Sequence, residues 1–87
     1  MPQPSVLITG CSSGIGRALA DAFKADGYAV WATARKDSDL AALEQAGFHA
    51  VQLDVNDSVA LERLAARLNE EIGGLDVLIN NAGYGAM

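Results

Sequence analysis

Apolar positions in this chain alternate between two spacings. Four short runs rich in branched aliphatic residues read as strands: Ser5 to Thr9, Ala29 to Thr33, His49 to Leu53 and Asp76 to Asn80. Between them the spacing becomes helical. Ile15, Ala18, Leu19, Ala22 and Phe23 fall on one face of a predicted first helix, closed by Gly27. A short second helix takes Asp37 or Ser38 as its cap, turns Leu40 and Leu43 inward and stops at Gly47. A third is capped by Asn56 or Asp57, carries Leu61, Leu64, Ala65, Leu68 and Ile72 as its stripe, and ends at Gly73 and Gly74. Strands separated by helices pair in parallel through right-handed crossovers. The expected fold is therefore α/β: a partial doubly wound sheet of four parallel strands, in order 3-2-1-4, with the first two helices on one face and the third on the other. The whole chain, 1–87, reads as one domain.

The first strand runs straight into Thr9-Gly10-Cys11-Ser12-Ser13-Gly14-Ile15-Gly16-Arg17, and a helix begins inside that stretch. A glycine loop between strand and helix is the context that a dinucleotide fingerprint requires. Gly10 permits the tight turn, Gly14 leaves room for a pyrophosphate, and Gly16 lets helix and strand approach. A nucleoside-triphosphate P-loop needs Lys and then Ser or Thr after its last glycine, and Arg17-Ala18 stand there instead.

The spacing Thr-Gly-x-x-x-Gly-x-Gly, with Ala32-Thr33-Ala34-Arg35, Leu53-Asp54-Val55 and Asn80-Asn81-Ala82-Gly83 at the ends of the next three strands, resembles the single-domain branch of the short-chain dehydrogenase/reductase family. The resemblance runs from about Ser5 to Gly85. It implies an oxidoreductase that moves hydride between nicotinamide and a carbonyl or alcohol. It also implies roles for residues: Ile15 meets the pyrophosphate through its backbone, Asp54 accepts from the adenine amino group, and Val55 touches the same ring. Asn81, Ala82 and Gly83 line the adenosine ribose, and Asn81 also ties the fourth strand to the sheet. Ser12 and Ser13 belong to the phosphate loop.

Cofactor choice turns on the end of the second strand. A carboxylate there favours NAD by accepting from the ribose hydroxyls. Here Ala34 is followed by Arg35 and Lys36. Arginine grips a 2′-phosphate with a planar fork of donors, so NADP(H) is preferred and NAD(H) remains possible. Ser12 can add a hydroxyl to the same phosphate.

The net charge of −5 argues against nucleic acid or an anionic membrane as partner. A single cysteine, Cys11, allows no internal disulfide and reads as a loop-filling side chain. His49 stands without a Cys or His partner, which disfavours a metal site, and Trp31 reads as core packing. Asn56-Asp57-Ser58 matches a glycosylation acceptor but reads as a helix cap. The start Met-Pro-Gln-Pro has neither a basic region nor an apolar run of signal length, so the expectation is a cytoplasmic protein.

The family's catalytic tyrosine and lysine are expected well after the Asn-Asn-Ala-Gly segment. Tyr28 and Tyr84 do not begin a Tyr-x-x-x-Lys pattern, and no lysine follows Lys36. No catalytic residue is assigned, and the 87-residue chain is expected to be inactive alone. Two classes stay open: the NADP(H)-binding N-terminal part of an oxidoreductase, and a non-catalytic nucleotide-binding or scaffold module. The apolar fourth strand, unblunted by lysine or proline from Asp76 to Asn81, further predicts a homodimer or larger assembly through that edge.

Overall fold

The computed structural model describes residues 3–11, 14–54, 58–79 and 81. The elements alternate as β1 (Ser5–Ile8), α1 (Gly14–Ala25), β2 (Ala29–Ala34), α2 (Asp37–Gln45), β3 (His49–Gln52), α3 (Ser58–Glu71) and β4 (Val77–Ile79). All three pairings are parallel, as the alternation predicts, and the sheet runs β3-β2-β1-β4, the expected doubly wound order.

The period of two along a strand divides the core between two faces. Val6 and Ile8 of β1 and Val30, Ala32 and Ala34 of β2 join Ala20, Leu43 and Phe48 under α1 and α2. Leu7 points the other way and joins Leu53, Leu64 and Leu68 beneath α3, with Trp31 packed against them. Trp31 also stacks on His49, ring centroids 4.5 Å apart. All four residues of β1 are buried, as a central parallel strand with both faces covered requires.

The packed face of α1 differs from the predicted one. Ile15, Ala18 and Ala22 are exposed, whereas Gly16 and Ala20 are buried and Leu19 and Phe23 half-buried. The reason is steric. At Gly16 the helix lies so close to the loop after β1 that no side chain fits, so the packed face turns to Gly16 and Ala20, flanked by Leu19 and Phe23, and Ile15 is left outward. The predicted cap of α2 differs too. Lys36 occupies the capping position with no side-chain hydrogen bond, and Asp37 and Asp39 lie in the first turn, where they complement the helix dipole. The proposed α3 caps, Asn56 and Asp57, lie outside the described residues.

Helices α1 and α2 end in the same way. Gly27 N–H donates to Lys24 O and Tyr28 N–H to Phe23 O, and Gly47 and Phe48 repeat this pattern on Glu44 and Leu43. In each, the first residue after the glycine packs back on the helix: Tyr28 edge-on to Phe23 at 4.8 Å, Phe48 in the same core cluster as Leu43. Each helix is thus returned directly into the next strand. Lys24 then ties the two turns together. Its ammonium donates to Ala46 O and lies 5.4 Å from the centroid of Phe48, with the Arg17 guanidinium 5.3 Å from the same ring.

β4 is held in register at its start by side chains. Asp76 Oδ2 accepts from Ser5 N–H at 2.8 Å, and Asp76 N–H donates to Ser5 Oγ at 3.2 Å. Among the described residues no helix is long and apolar enough to cross a membrane.

Candidate functional site

Parallel strands present all their C-terminal ends along one edge of a sheet, and the crossovers leave a crevice there. That edge carries Gly10 after β1, Arg35 after β2, Asp54 after β3 and Asn81 after β4. Four residues separated by up to 71 positions are therefore gathered by topology alone.

The glycine loop is fixed from both sides. From β4, Ile79 O accepts from Thr9 N–H at 3.0 Å, and Asn81 Nδ2 donates to Gly10 O at 3.3 Å. From β2, Thr33 O accepts from Cys11 N–H at 2.9 Å, and Thr33 Oγ1 accepts from Gly10 N–H at 3.3 Å. Gly10 and Gly14 have φ of 68° and 64°, the left-handed region in which a side chain is strained. A Cβ on Gly14 would meet nothing within 4 Å, so its outward side is open space. A Cβ on Gly16 would stand 2.0 Å from Gly10 O and 2.8 Å from Asn81 Nδ2. The three glycines thus have three different physical reasons: turn, open approach and close packing. Open space at Gly14 also lies at the start of α1, whose first turn has no acidic residue to offset its free N–H groups.

Arg35 and Asp54 are exposed at this edge, and the Ile15 side chain is 72% exposed beside the loop. Ser12, Ser13, Val55, Ala82 and Gly83 lie outside the described residues. Among the described residues no group of three or more His, Cys, Asp or Glu side chains is placed to hold a metal ion. A groove lined by Val51, Gln52, Leu53, Val59, Arg63 and Arg67 lies between the end of β3 and α3.

The residue that sequence reasoning missed is Thr33. Fully buried, it braces two successive loop amides, one through its side chain and one through its carbonyl. No periodicity signals this, because the contact spans 23 residues. Thr33→Val keeps the shape and removes the acceptor, leaving Gly10 N–H without it. The expected loss is about 1–3 kcal/mol of stability, read by denaturant unfolding. An unchanged midpoint would mean the loop does not rely on this bond.

Cys11 is fully buried and its Sγ donates to Ile8 O at 3.1 Å. Burial pushes the thiol from 9.0 up to about 11; a hydrogen bond from the Thr33 backbone and the charge of Arg17 oppose the rise without prevailing. At neutral pH the group is a neutral thiol, as its reading as a loop-filling side chain requires. The unfolded chain ionises near pH 9.0 while the folded chain keeps its proton to about pH 11. This contribution to stability is present in full below the lower value and falls away between the two, by about 2–3 kcal/mol. Unfolding free energies of the chain and of Cys11→Ala, compared from pH 8 to 11, are expected to converge or cross as pH rises. A constant difference would exclude the effect.

Comparison with known proteins bears on the same residues. The short chain dehydrogenase family model matches residues 4–87. A short-chain dehydrogenase/reductase of Pestalotiopsis microspora is 46% identical over 82 residues, covering 93% of this chain and 29% of its own length. The crystal structure of a short-chain dehydrogenase from Streptomyces avermitilis superposes with a TM-score of 0.80 at 38% identity, over 90% of this chain and 30% of that one. A variant of actinorhodin polyketide ketoreductase, crystallised with NADPH, superposes with a TM-score of 0.75 at 33% identity, over 93% of this chain and 34% of that one. The chain therefore spans about a third of the length of these relatives. With the glycine loop, the parallel 3-2-1-4 sheet and a family match across nearly every residue, the chain belongs to the short chain dehydrogenase family.

Proposed function

We propose that this chain binds a nicotinamide dinucleotide, NADP(H) in preference to NAD(H), as the cofactor-binding N-terminal part of an oxidoreductase acting on a carbonyl or alcohol, with residues 1–87 forming the truncated dinucleotide-binding domain. The observation that carries this reading is the open side of Gly14 at the start of α1, on the same sheet edge as Arg35. In this reading a pyrophosphate is held there by the unpaired N–H groups that the start of a helix presents, and among the described residues nothing lies within 4 Å of a Cβ built on Gly14. Gly10, Ser12, Ser13, Gly14, Ile15 and Gly16 form the phosphate loop in this reading. Asp54 and Val55 hold the adenine, Asn81, Ala82 and Gly83 the ribose, and Arg35 the 2′-phosphate. The ketoreductase relative solved with NADPH supports the choice of ligand class. The nicotinamide, when bound, supplies or accepts the hydride. Fluorescence titration is the test. NADPH is expected to bind more tightly than NADH, and equal affinities would remove the 2′-phosphate from the account.

Chemistry is a separate matter. The 87 residues contain no Tyr-x-x-x-Lys pattern, and positioned acid–base groups contribute about 10²–10⁴-fold to rate. The chain alone is expected to show no turnover with a carbonyl panel. Steady NADPH consumption that survives repurification would contradict this.

For the chain expressed as these 87 residues, the outer edge of β4 is proposed to pair with a second copy. Among the described residues β4 is an outer strand of the sheet, and its own Leu78 is 48% exposed. Open edges with apolar side chains recruit further strands, and a two-fold axis would join the copies through antiparallel β4 strands. Light scattering at low concentration is expected to give a dimer or larger; a monomer would refute the pairing.

A further inference from the structure

β3 ends at Gln52, which lies opposite Ala34 in the register with β2. The backbone ladder between the two strands extends to Leu53 N–H, which donates to Ala34 O at 3.1 Å. The Gln52 side chain carries the connection one residue further. Its amide Nε2 donates to Arg35 O at 3.0 Å and to Asp37 Oδ1 at 3.4 Å. Both partners are acceptors, so the amide nitrogen must be the end that faces them.

This arrangement acts on Arg35 in two ways. The carbonyl bond holds the Arg35 backbone to the sheet, so the exposed guanidinium starts from a fixed point. The second bond concerns charge. Asp37 stands two residues beyond Arg35, and its carboxylate is the acceptor nearest in sequence that could compete with a phosphate for the guanidinium. Engaged by the Gln52 amide, that carboxylate is drawn toward β3. A hydrophobic side chain at position 52 would release it, and a carboxylate there would add a second competitor.

We propose that Gln52 is a positioning residue for cofactor selectivity, keeping Arg35 available to a 2′-phosphate by anchoring its backbone and restraining Asp37. The inference rests on Arg35 being the 2′-phosphate ligand. It concerns selectivity and not binding in general, so it predicts a split between two ligands that differ only in that phosphate.

Adenosine 2′,5′-bisphosphate and AMP are suitable probes, measured by calorimetry on the 87-residue chain. Gln52→Leu is expected to weaken the bisphosphate roughly 3- to 10-fold, the size of one or two weakened polar contacts, while AMP changes by less than about twofold. Gln52→Glu is expected to lose more. Adding Asp37→Asn to Gln52→Leu is expected to recover part of the loss, because the released side chain is then uncharged. An equal fall for both probes would reveal a merely structural role and overturn the proposal, as would no change for either. Arg35→Ala separates the two levels of the argument. If it lowers the bisphosphate-to-AMP ratio and Gln52→Leu does not, only Gln52 loses its role. If Arg35→Ala leaves the ratio unchanged, or the parent chain binds neither probe, the Arg35 reading fails and this proposal falls with it.

Discussion

Gly16→Ala is expected to destabilise the fold by about 2–3 kcal/mol and to lower the melting temperature by on the order of 10–20 °C. The same change at an open helix position would gain about 1 kcal/mol, because alanine is the better helix former. The sign reverses here because of distance. The new methyl would stand 2.0 Å from Gly10 O and 2.9 Å from Gly10 C, both backbone atoms. Asn81 Nδ2, at 2.8 Å, can rotate aside, but only by giving up its bond to Gly10 O. Gly10 itself is held by Thr33, so the loop cannot yield without breaking that contact too. The helix must therefore lift from β1, opening the core around Ala20 and Ile8. A thermal melt followed by far-UV circular dichroism reads the effect. A melting temperature equal to or above that of the parent would show that the helix and loop are not in close contact.

Arg35→Asp is expected to reverse the preference between the two nicotinamide dinucleotides. The parent is expected to favour NADPH over NADH by about 1–2 kcal/mol, roughly five- to thirtyfold, a modest figure because Arg35 is exposed and water screens it. The aspartate would repel the 2′-phosphate and accept from the free ribose hydroxyls instead, so the difference changes sign and is not simply abolished. Titration of both proteins with both cofactors measures it. A variant with the parent's preference would take Arg35 out of the site.

The parallel sheet was readable from alternation, four apolar runs separated by three helical stretches, and its order 3-2-1-4 followed from the dinucleotide-binding arrangement that the glycine loop and the family resemblance imply. The glycine loop was readable because each of its glycines is required by a backbone constraint that no other residue meets. The helical spacing on α1 marks a face from Ile15 to Phe23, of which Leu19 and Phe23 pack on the core while Ile15, Ala18 and Ala22 do not. The helix approaches through Gly16 and Ala20, and Ile15 is left outside. Capping of α2 was misjudged as well. Asp37 is a good capping residue in isolation, but Gln52 reaches its carboxylate across 15 positions and Lys36 takes the cap position instead. Thr33 and Gln52 were invisible as supports of the site for a common reason. Their partners lie just past the ends of neighbouring strands, 23 and 17 residues away, and a polar side chain on a strand gives no sign of which distant backbone group it will meet.

The most direct measurement is a map of backbone amide shifts as NADPH is added to isotopically labelled chain. Binding at the C-terminal sheet edge predicts that the largest changes fall on Gly10, Gly14, Ile15 and Gly16, with Arg35, Asp54 and Asn81 following, and that NADH leaves Arg35 less perturbed. Changes concentrated instead on Val59, Arg63 and Arg67 along the α3 groove, with the glycine loop unmoved, would contradict the account.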